Sequence, residues 1–265
     1  MADWSQDQFM SNWDTTYVST NVQPGAAPYT KNFFLDIHQE LAAAGGELEK
    51  ISACIIAAAS IAVGRADIVG KFFDDVTTEY TPEKSEALFL RIREAISIIF
   101  PYVGIPQCIP ACYGMIGVVQ RKGQEYASQK KLRSPRVTEE DVQRGQELRQ
   151  RIYSGVGNSE IFKLMDVYFT ELFSCSTMVT WGYLISNANQ EVFEVTESHL
   201  IVASAIIALG AARQSKSHVK ATLGIGNSVN DVKRVVAVVN KIGQWAGKDL
   251  ILPDVDNCAQ QFQRH

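Results

Sequence analysis

The chain has 265 residues, 46% of them hydrophobic, with 25 Lys and Arg against 29 Asp and Glu for a formal charge of −4. At roughly 100–200 residues per domain, this length allows one large domain or two small ones, each able to bury a core without disulfide or metal staples. Disorder and collagen are excluded, and the mildly acidic balance speaks against a nucleic-acid binder, whose affinity rests on Lys and Arg neutralising phosphates.

Residues 1–30 mix polar and aromatic side chains with Pro24, Gly25 and Pro28, without sustained periodicity, and read as an arm that wraps or swaps. They carry neither a basic n-region nor a long apolar stretch, so no secretory signal is expected. From Lys31, Phe34, Ile37, His38 and Leu41 follow a helical period until Gly45-Gly46 breaks it. Helices are predicted over Glu47 to Val63 and Ala66 to Val76. Thr81-Pro82-Glu83 supplies a cap, a first-turn proline and an early acid, so a long helix should run to Phe100 and end at Pro101 and Pro106. An apolar stretch, Gln107 to Val119, follows. Gln120 to Arg136 then carries six basic residues and one acid. That run is either an anion-binding patch or a solvated linker, and the linker is the reading taken.

Thr138 and Asp141 form a capping-box-like start for a helix to Tyr153. Asn158-Ser159 should cap Glu160 to Met178, a helix apolar nearly all round and so expected to be buried. Trp181-Gly182 marks a turn. Thr196 should cap Glu197 to Ala212, Lys216 to Leu223 follows, and Ser228 should cap Asn230 to Trp245. The two most apolar runs, Ile51 to Val63 and Leu200 to Ala212, have 13 residues each, short of the ~20 a membrane-spanning helix needs. Five sparse cysteines, Cys54, Cys108, Cys112, Cys175 and Cys258, suit a reducing, cytoplasmic setting better than a disulfide scaffold.

No stretch reads as a strand, so the fold class is all-α. CIIAAASIAVGRADIVGKFF and LIVASAIIALGAARQSKSHV share an Ala/Ile-rich helix, a Gly at its end and a second helix. Each is followed by a capped helix ending near a Gly, RIREAISIIFPYVGIP or NDVKRVVAVVNKIGQWAG. The economical description is a duplicated helical unit. It divides into an arm (1–30), a degenerate first unit (31–119), a basic linker (120–137) and a second unit carrying His218 (138–265).

These motifs, together with RGQELRQRIYSG and TWGYLI, resemble the carboxymuconolactone decarboxylase-like proteins over most of residues 45–250. The resemblance implies a helical fold assembled into a homo-oligomer, a pocket between helices, and His218 at that pocket. Departures accompany it. Gln214 stands near where the family often has a Glu, and its E-I-R-E becomes Asp231-Val232-Lys233-Arg234. The first-unit position matching His218 falls among Ile68 to Phe72, without a titratable ring. The sister branch, the alkyl hydroperoxidase D-like proteins, needs C-x-x-C with a nearby His; Cys108 and Cys112 are one residue too far apart, separated by Pro110, and no His follows. Cys54 and Cys175 read as packing inside apolar helices.

Other signatures fail. Gly224-Ile225-Gly226 lacks a third Gly and a preceding strand. His38, His199, His218 and His265 lack zinc spacing, so no metal is assigned. Neither a phosphate-binding Gly-Lys-Ser/Thr loop nor a G-x-S-x-G elbow is present. The expectation is a cofactor-independent lyase or isomerase acting on a small cyclic or unsaturated acid or ketone, by decarboxylation, proton transfer or rearrangement in a biosynthetic pathway. His218 would be the general acid or base. His199 or Glu197 would orient it, with at most one of these two facing inward. Trp181, Tyr183 and Tyr102 would form the wall. A non-catalytic scaffold or ligand-binding protein, and a thiol-dependent reductase, are the alternatives; no membrane partner is expected.

Overall fold

The computed structural model describes residues 3–157 and 159–262. Among them every regular element is helical, and no helix is long and apolar enough to cross a membrane. In order these are α1 (Gln8–Trp13), α2 (Lys31–Ala42), α3 (Gly46–Ala62), α4 (Ile68–Val76), α5 (Pro82–Val103), α6 (Ile105–Lys122), α7 (Glu139–Tyr153), α8 (Ser159–Tyr168) and α9 (Thr170–Cys175). A π-helical segment, Ser176–Ser186, leads into α10 (Asn187–Glu191), α11 (Val195–Ala208), α12 (Ala212–Gly224), α13 (Val229–Trp245) and α14 (Val255–Phe262).

The Ala- and Ile-rich helices α3 and α11 are buried on nearly every side and pack on each other at the centre. That is the only place for a helix apolar all round its circumference. Around them the packing is reciprocal. Both α5 and α13 touch α3 and α11, α4 packs on α6, and α12 packs on α14. The N-terminal arm folds back on α4 and α6: Trp4 donates its indole N–H to Asp74 at 3.0 Å, and Trp13 donates to the Tyr113 carbonyl at 2.9 Å.

Several local expectations need correction. α5 continues through Pro101 to Val103, because proline's fixed φ is itself helical and this near the end only one backbone bond is forfeited. α6 begins at Ile105, with Pro110 inside it, before the expected start. The predicted helix over 160–178 is broken: Phe169 leaves helical geometry, and α8 and α9 are not buried. Val167 is 69% and Tyr168 74% exposed, with Leu164, Phe169 and Leu172 beside them, and Cys175 is exposed too. Trp181-Gly182 forms no turn but lies inside the π-helical segment. α11 is capped by Glu194, not Thr196, through a capping box with Glu197. The basic run is not simply solvated. Arg121 and Lys122 pair with Asp74, Arg133 with Glu94, and Lys130 with Glu191. Asn158 and His265, named above, lie outside the described residues.

Candidate functional site

α11 and α12 run back along each other, so residues 19 apart in sequence meet. His199 and His218 stack with ring centroids 5.1 Å apart and planes 20° apart. Three further rings close around them. Tyr153, the last residue of α7, places its hydroxyl 3.1 Å from His218 Nε2. Tyr102, near the end of α5, meets His218 edge-on at 6.0 Å. Trp181, from the π-helical segment, stacks on His199 at 6.2 Å and meets Tyr153 edge-on at 5.7 Å.

The cluster is sealed, with His218 4% and His199 1% exposed. Burial pushes His218 down to about 4 and His199 well below its ordinary range, the neighbouring His218 adding to the latter effect. Burial also raises both phenols. All four rings are therefore neutral at neutral pH. The direction of the Tyr153–His218 bond follows the imidazole tautomer; with Nε2–H donating to the Tyr153 oxygen, the Nδ1 lone pair is left free. Nδ1 of His218, Nε2 of His199 and the Tyr102 hydroxyl are buried without a hydrogen-bond partner.

His199, Trp181 and Tyr102 thus join His218, and of the pair Glu197 and His199 it is His199 that faces it. Glu197 is engaged elsewhere. Its carboxylate accepts from Arg91 at 3.2 Å and from the Glu194 backbone N–H at 3.1 Å, completing the α11 cap. Tyr183 is likewise turned away, donating its hydroxyl to the Ser134 carbonyl at 2.6 Å. Tyr153 was missed by the sequence reading. The available signal was its place on α7, one residue past the buried series Asp141, Gly145, Leu148 and Ile152.

Among the described residues no three His, Cys, Asp or Glu side chains are grouped as metal ligands. Burial pushes the Cys108 thiol up to about 12 and raises Cys112, away from the thiolate that peroxide chemistry requires. Two clefts of about 570 and 540 Å³ lie elsewhere, one lined by Trp4, Tyr29 and Lys71, the other by Pro24, Arg65 and Lys248. No protein-family model, no curated protein and no solved structure matches this chain.

Proposed function

We propose that the cluster of His218, His199, Tyr153 and Tyr102 is the proton-transfer centre of a cofactor-independent lyase or isomerase. The observation that carries this reading is the set of three orphaned polar atoms around His218 in an otherwise apolar core. Each unsatisfied group costs about 1–3 kcal/mol, a cost that an all-aromatic core would avoid. A bound carbonyl compound offers these groups partners. His218, neutral and oriented by Tyr153, takes a proton from the carbon beside the carbonyl, and the bonding pair moves to the carbonyl oxygen. The Tyr102 hydroxyl is a donor for that oxyanion. The anion raises the affinity of His218 for its proton, which is then returned to the same or a conjugated carbon. In decarboxylation the pair left by departing CO2 follows the same path, and carbon then takes a proton from water, the hydroxide left behind joining CO2 as bicarbonate.

The same reading takes the chain as a duplicated unit. Phe72 and His218 each stand eight residues past a helix-ending glycine, Gly64 and Gly210. Tyr102 and Trp245 each stand two residues before another, Gly104 and Gly247. Tyr102 touches His218, and Trp245 touches Phe34, which neighbours Phe72. One site thus holds Phe34, Phe72 and Trp245, with His38 edge-on to Phe72 and Arg65 over Trp245, while its counterpart brings together two histidines and two tyrosines.

In deuterium oxide, the protein should exchange C–H protons beside the carbonyl in a panel of small unsaturated ketones and acids, followed by proton NMR. His218→Gln should reduce the rate by about 10²-fold or more, and Tyr153→Phe by less. Equal rates in wild type and His218→Gln would sink the mechanism. The sealing of the cluster favours a second reading, a non-catalytic ligand-binding or scaffold protein, and an absence of exchange in the wild type would select it.

A further inference from the structure

Seven arginines of the described residues are buried or half-buried: Arg65, Arg91, Arg93, Arg121, Arg133, Arg144 and Arg149. Six have a carboxylate within ion-pair distance, namely Asp67, Glu197, Glu94 (for both Arg93 and Arg133), Asp74 and Asp141. Arg149 has none among the described residues. Its Nη1 donates to Thr177 Oγ1 at 3.1 Å, and its guanidinium lies 3.6 Å over the Phe173 ring and 5.4 Å from that of Phe162. A desolvated guanidinium without a counter-charge is costly, and Arg is the side chain whose flat fork matches a carboxylate.

Its surroundings are those of a binding site. Arg149 lines a cleft of about 250 Å³ together with Val142, Gln146, Asp166, Phe173 and Thr177. It also stands four residues before Tyr153 on α7, so the two side chains share a helix face with Cβ atoms about 5–6 Å apart. Phe162 roofs both, its ring 5.1 Å from that of Tyr153. Burial pulls the Arg149 pKa down, with Tyr153 and Asp166 opposing that effect. Asp166 is the cleft's own carboxylate, though it lies beyond ion-pair distance.

We infer that Arg149 anchors the carboxylate of an unsaturated organic acid, whose apolar body lies along Phe162 and Phe173 and whose reacting carbon is presented toward Tyr153 and His218. This rests on the proton-transfer reading of the His218 centre and narrows its substrates from ketones and acids to acids bound as anions. Thr177 holds the guanidinium in place while its own hydroxyl donates to the Phe173 carbonyl at 3.0 Å, leaving the remaining Arg149 N–H groups for the ligand.

Titration calorimetry and ligand-observed NMR with cinnamate and benzoate, against cinnamamide and benzamide, test the anchor. Each acid should bind the wild type more tightly than its amide. Arg149→Gln should weaken acid binding by about tenfold or more, as loss of charge-assisted hydrogen bonds does, while amide binding stays as it was. Arg149→Lys, which keeps the charge without the fork, should fall between, and Asp166→Asn should tighten acid binding by removing a like charge. Wild-type protein that prefers neither acid over its amide would overturn the inference. So would an Arg149→Gln variant with wild-type circular dichroism and unchanged acid affinity. Arg149-dependent binding with no His218-dependent proton exchange would support the anchor and reject the chemistry, so the two readings fail separately.

Discussion

At the scale of single residues, the stacked pair His199 and His218 links the candidate site to stability. An exposed imidazole titrates near 6.5, whereas His218 is held down to about 4 and His199 well below that ordinary value, both chiefly by burial. Between about pH 6.5 and pH 4 the unfolded chain therefore binds more protons than the folded one, and stability falls as the pH is lowered through that window. Above it neither imidazole contributes to the slope. Each histidine costs at most about 1.4 kcal/mol per pH unit within it. Urea unfolding at pH 7 and pH 5 should show a clear loss of midpoint at the lower pH, part of which is absent in His199→Phe; His38, also lowered by burial, adds to what remains. An identical loss in the variant would mean that His199 is not held neutral. This pair was legible in the sequence because His218 follows a helix-ending glycine in a recognisable motif. Tyr153 was not, since a phenol at a helix end carries no motif and meets His218 only when α7 folds onto α12. Glu197 misled for a related reason: three residues past Glu194 at a helix start, its carboxylate serves the cap.

At the scale of elements, the caps were the most readable feature. Thr81, Thr138 and Ser228 each accept the backbone N–H three residues on, as their spacing predicted. What spacing could not show was where α7 would be held. It crosses the π-helical segment at Gly145 and Gly182, where the two backbones touch. A methyl added at Gly145 would fall 2.7 Å from the Gly182 backbone nitrogen and press on the Thr177 carbonyl. Backbone cannot yield as a flexible side chain can, so Gly145→Ala is expected to cost at least about 3 kcal/mol, the upper end for overpacking. Because this crossing sets Tyr153 against Trp181, the variant should also shift the Trp181 indole N–H resonance. A Gly145→Ala protein of wild-type stability would show that the contact is not tight. The break between α8 and α9 was illegible for the opposite reason. An apolar circumference predicts burial, yet while Phe162 and Phe173 turn inward over Arg149 and Tyr153, Leu164, Val167, Tyr168, Phe169 and Leu172 face outward.

At the scale of the whole molecule, the chain's two halves share one core. α3 comes from before the basic segment and α11 from after it, and each is the other's principal cover. Composition and the internal echo suggested two equivalent units, a pattern that says nothing about whether either could stand alone. The packing does. Separated, the halves would expose side chains such as Ile51, Ile55 and Ile56 on α3, or Leu200, Ile201 and Ile207 on α11, all now 1% exposed or less. At about 1.5–3 kcal/mol for each side chain returned to water, a handful of these matches the whole stability of a typical domain, 5–15 kcal/mol. Fragments 1–122 and 138–265, made separately, should therefore lack dispersed amide spectra. Mixed, they should recover helical circular dichroism and bring Tyr102, on the first fragment, back against His218 on the second. The intact chain should unfold in one transition by fluorescence and circular dichroism alike. A dispersed native spectrum from either fragment alone would mean that its central helix finds cover within its own half, and the shared core would then be a docking of two domains.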